Sequence, residues 1–83
     1  MKITLLNGHF EKQAAISLLE ALIAVKVNYH ENQIHAEAYH SEEDIKMSEN
    51  RIKALTEELK KAIAYCQASE QPLIDLTSSI IIA

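Results

Sequence analysis

One glycine, one proline, one cysteine and no tryptophan occur among the 83 residues of this chain, and each scarcity removes a class of protein. A single Cys66 excludes an intramolecular disulfide and a cysteine-rich zinc site. The lone Gly8 cannot build a phosphate-binding loop, which needs several glycines at fixed spacing. With Pro72 as the only proline and no Gly/Ser/Pro-rich tract, nothing reads as an interdomain linker, and residues 1–83 are taken as a single domain. No apolar run approaches the roughly 20 residues of a membrane span, and the opening MKITLLNGHFEK lacks the apolar core and cleavage site of a secretory signal. The expected location is cytoplasmic, with no membrane partner. Cations are also short, at 8 Lys and Arg against 12 Asp and Glu for a net charge of −4. Nucleic acid as a partner is excluded on this ground, because its recognition needs clustered Lys and Arg.

Apolar residues, by contrast, make up 48% of the chain. A chain of this size buries only about 60 to 65% of its unfolded surface, so its core is small and an apolar excess is left for a homo-oligomeric interface.

The stretch Val25 to Tyr39, VKVNYHENQIHAEAY, alternates apolar and polar residues and predicts a β-hairpin turning at Glu31-Asn32. Val25, Val27, Tyr29, Ile34, Ala36 and Ala38 then share one face, and Lys26 lies opposite Glu37. The turn is the weak point, since two-residue hairpins favour Asn-Gly or Asp-Gly. Before it, Lys2 to Leu6 predicts a strand ended by Asn7-Gly8, with Gly8 at positive φ. Phe10 to about Ala24 predicts a helix whose apolar residues spread over more than half its circumference, enough to touch both a sheet and a second helix or subunit. Asn7-Gly8-His9 has the form of an anion site at a helix start, but a plain strand-to-helix turn explains it.

Ser41 followed by Glu42, Glu43 and Asp44 predicts a capped helix start with negative charge at the positive end of the dipole. The helix is expected to run from Glu42 to about Cys66 or Ala68. Ile45, Ile52, Leu59 and Cys66 recur every seven residues with Leu55 and Ala62 between them, and Glu42/Lys46, Glu49/Lys53 and Glu57/Lys61 form favourable pairs on the wet side. Leu73 to Ala83 predicts a final strand, and its uncharged β-branched end must pair to avoid aggregation.

The resulting order predicts an α+β ferredoxin-like βαββαβ fold: a four-stranded antiparallel sheet with two helices on one face, the second helix long. Lys26, Asn28, His30, His35, Glu37 and Tyr39 would lie on the open sheet face as a ligand or partner surface. Ile16, Leu19, Ile23, Ile45, Met47, Ile80, Ile81 and Ile82 are the candidate dimer contacts. No catalytic residue, cofactor or metal site is assigned. His30, His35 and Glu37 are metal-binding types without a third ligand in register, and His35 beside Glu37 has no nucleophile to serve.

Function is therefore expected to be non-catalytic: a protein-protein association or regulatory module acting as a homodimer. Two other classes fit less well. One is a small acidic inhibitor covering the basic surface of a nucleic-acid-binding protein, of the kind phages encode. The other is a small metal binder or enzyme working from the His-bearing sheet face.

Overall fold

A computed structural model describes residues 1–35 and 41–83 of the chain. The elements are β1 (Lys2–Glu11), α1 (Lys12–His35), α2 (Glu42–Ala68) and β2 (Leu73–Ile81), a βααβ order with one two-stranded antiparallel sheet. The ferredoxin-like arrangement is overturned, because the stretch expected to supply its two middle strands is helical from Val25 to His35. The remainder of that expected hairpin, Ala36 to Tyr39, lies outside the described residues.

Two periodicities compete in that stretch. Besides alternating, it carries Ile23, Val27, His30 and Ile34 at spacings of four, three and four, which is one face of a helix. All four are half-buried, as is Leu19 before them. They meet the seven-residue seam of α2, where Ile45, Ser48, Ile52, Leu59 and Ala62 are half-buried and Leu55 and Cys66 are buried. As a helix the stretch extends the antiparallel helix pair along the length of that seam. Glu31-Asn32, poor in a tight turn, costs little inside a helix.

The capped start of α2 forms as expected. Ser41 Oγ accepts from the Asp44 amide at 3.2 Å, and the helix continues without a break through Asn50. Its first turns pack on the second half of α1. The first strand is longer than expected, ten residues where the sequence predicts Lys2 to Leu6, and the last ends at Ile81 after nine, so at about 3.3 Å per residue they span roughly 30 to 33 Å against roughly 36 to 40 Å of helix. Gly8 does not end β1. It sits opposite Leu76 in the ladder and has no positive φ.

Register along the sheet pairs Ile3 with Ile80, Gly8 with Leu76 and Phe10 with Ile74, with an irregularity between Thr4 and Leu6. Leu5 is the extra residue of a bulge, and a bulge shifts the parity of a strand. Ile3 and Leu5 before it, and Leu6, Gly8 and Phe10 after it, therefore all face the helices. The opposite face is polar through its middle, with His9 and Asp75 paired across the ladder, and carries Leu73 and Ile81 at its ends. The amine of Met1 donates to the Ile82 carbonyl at 2.9 Å and the Ile82 amide to the Met1 carbonyl at 2.7 Å.

The core is small. Ala15, Ile16, Cys66 and Ile74 are its buried members, with Phe10, Leu19, Ile63 and Leu76 packed against them. It sits where β1 turns into α1 and α2 leads into β2, and Lys12 strengthens that junction by donating to the Ser69 carbonyl. Away from it the molecule is flat and extended, 48 × 31 × 14 Å. No helix among the described residues is long and apolar enough to cross a membrane.

Candidate functional site

Two clefts flank α1 at its distal half, and Lys26 and Tyr29 line both. The first lies between α1 and the sheet. Leu5, Leu22, Val25 and Ile80 complete its lining around about 440 Å³. Leu5 shares this side with Ile3 two residues before it, and Ile3 pairs with Ile80. Val25 is 70% exposed and Tyr29 55%, so the cleft is an apolar surface left open to water.

The second cleft, about 570 Å³, lies between α1 and α2 and is lined by Lys26, Tyr29, His30 and Gln33 from one helix and Asp44, Met47, Ser48 and Arg51 from the other. Each set follows the spacing i, i+3, i+4, i+7, a single helix face. The antiparallel pairing of the two helices brings the faces together. The Lys26 ammonium stands 5.7 Å from the Tyr29 ring centroid, and the Tyr29 and His30 rings meet edge-on at 5.4 Å with an interplanar angle of 73°. His30 Nε2 is buried without a hydrogen-bond partner among the described residues. Arg51, the chain's single arginine, and Lys26 make no ion pair among the described residues.

The residues singled out from sequence are dispersed differently. Lys26, Asn28, His30 and His35 were placed on an open sheet face, and all four belong to α1; Lys26 and His30 reach the polar cleft, whereas Asn28 and His35 are exposed outside it. Glu37 and Tyr39 lie outside the described residues. Of the apolar set, Ile16 belongs to the core with Leu19 against it, and Ile23 and Ile45 lie half-buried in the helix seam. Met47 is 69% exposed at the polar cleft, and Ile80, Ile81 and Ile82 are exposed at the end of the sheet.

Tyr29, Gln33, Ser48 and Arg51 were missed, since their spacing carries meaning only once residues 25–35 are a helix. Among the described residues no three His, Cys, Asp or Glu side chains converge as a metal site would require. Comparison with protein families, with curated proteins and with solved structures finds no match.

Proposed function

We propose that this chain is a self-association module whose second copy covers the apolar cleft and continues the sheet through β2. Exposed surface supports this most directly. A compact chain of this mass exposes about 5,000 Å², while this one exposes 6586 Å². The surplus, roughly 1,600 Å², is twice the about 800 Å² that each partner brings to a standard interface. Its radius of gyration of 15.5 Å likewise exceeds the about 12 Å of a compact domain of this length. Leu5, Leu22, Val25, Tyr29, Ile80 and Ile82 are among the large apolar side chains left exposed.

The two free edges of the sheet are unlike. β1 is bulged and carries Lys2, His9 and Glu11, features that discourage pairing. β2 is regular, bears Asp75 as its one charge and ends in consecutive isoleucines. Antiparallel pairing of β2 with its own copy satisfies that edge, and a twofold axis near Ile80 sets the two apolar clefts against each other in a self-complementary contact. The acidic start of α2 is used within the chain, as cap and dipole partner, and gives no separate support to a role as an acidic blocker.

Molar mass by light scattering on the untagged protein tests this. The expected value is twice the 9.3 kDa chain mass, unchanged in high salt because apolar contact is not screened. A monomer at every concentration examined overturns the proposal.

A further inference from the structure

The polar cleft supports an inference independent of self-association. We propose that it binds a small monoanion carried on a flat apolar body, an aryl carboxylate being the simplest example. The chain as a whole repels anions, with a net charge of −4, yet this cleft reverses the sign locally. Lys26 stands on one wall and Arg51 on the other, and neither is neutralised by an ion pair among the described residues. An arginine fork matches the two oxygens of a carboxylate in one plane.

Between the cations the lining suits a ring. Tyr29 and His30 present an aromatic corner, and Met47 adds a flexible, polarisable side chain on the α2 wall. Ser48 and Gln33 supply neutral hydrogen-bonding groups. Asp44 is the one carboxylate in the lining, and it penalises a second negative charge, which favours a carboxylate over a phosphate dianion. A volume of about 570 Å³ falls within the usual range for small-molecule sites, about 300 to 1,000 Å³.

Titration of the full chain with 2-naphthoate, followed by amide resonances and by calorimetry, tests the proposal, with 2-naphthamide as the neutral analogue and inorganic phosphate as the charge-only analogue. Naphthoate is expected to move the resonances of Tyr29, His30, Met47, Ser48 and Arg51 and to bind roughly tenfold tighter than the amide, the worth of a charge-assisted contact. Arg51→Gln and Lys26→Gln, both at exposed positions, are expected to weaken binding by a similar factor, and Lys60→Gln, outside the cleft, to leave it unchanged. Arg51 lies away from the apolar cleft, so loss of naphthoate binding in Arg51→Gln with unaltered molar mass separates this site from the dimer. Absence of resonance shifts at about 1 mM naphthoate, an affinity too weak to matter, overturns the proposal. So does equal binding of the amide, equal binding of phosphate, or full affinity in Arg51→Gln.

Discussion

Leu5 and Ile80 lie on the same side of the sheet because Leu5 follows Ile3 by two residues and Ile3 pairs with Ile80 across the ladder. The irregularity after Thr4 then turns Leu6, Gly8 and Phe10 to that same side, at the cost of a regular edge on β1. Both residues are partly exposed, 45% and 44%, and neither belongs to the buried core. Leu5→Asp and Ile80→Asp are therefore expected to leave the helical circular dichroism intact while halving the molar mass of the proposed dimer. Sedimentation velocity at several concentrations reads the outcome, and a full-mass species in both variants would remove this face from the interface.

Core truncation should behave differently. Ile16 and Ile74 are 9% and 8% exposed and belong to one cluster, so Ile16→Ala and Ile74→Ala should each lower stability by about 2 to 4 kcal/mol, from lost transfer energy and the cavity left behind. Because the two share neighbours, the double variant should depart from additivity. Urea unfolding of the four proteins in the cycle measures both quantities.

Ser41 holds the first turn of α2 through the Asp44 amide. Replacing it with alanine orphans that donor and should cost about 1 kcal/mol. Ser41→Gly should cost only a few tenths of that unit. Similar midpoints for wild type and Ser41→Ala in urea would show that the cap contributes nothing measurable.

His30 offers a prediction of opposite sign. Its Nε2 is buried in the helix seam without a partner among the described residues, a situation that costs about 1 to 3 kcal/mol. His30→Leu should therefore stabilise the chain, raising the thermal midpoint, while removing one aromatic wall of the polar cleft. A destabilised His30→Leu would mean that the imidazole makes a contact worth more than its unpaired nitrogen costs.

The helical state of residues 25–35 can be checked directly. Sequential amide-amide nuclear Overhauser effects should run unbroken from Val25 to His35, with helical Cα shifts. Cross-strand contacts between Lys26 and Glu37 would instead restore the hairpin.

That stretch also shows how far the sequence was legible. The long second helix, its Ser41 cap, its seven-residue seam and the terminal strand were all readable, because each rests on a local signal: a hydroxyl before acidic residues, a fixed repeat, a β-branched run after Pro72. Residues 25–35 satisfied two periods at once, and the choice between them depended on the partner for Ile52, Leu55 and Leu59, which no local window contains. The error propagated to the clefts. Lys26 and His30 were selected as chemistry-bearing types, but Tyr29, Gln33 and Arg51 could be grouped with them only by helix spacing and by the pairing of α1 with α2. Gly8 misled in a smaller way, since the Asn7-Gly8 pair that marks many turns here lies within a continuous strand.

The ladder joins residues near positions 2–11 to residues near 73–81, with both helices in between. Nearly every contact that closes the sheet is thus remote in sequence, whereas the helix pair is assembled from neighbouring segments. Chains with this distribution pay loop-closure entropy before the distant strands meet. The helices are expected to dock first and the strands to zip last, so that β2 spends the slow phase of folding with both edges bare. Refolding yield should accordingly fall with protein concentration, and the isoleucine-rich end of β2 is the segment through which that loss would occur.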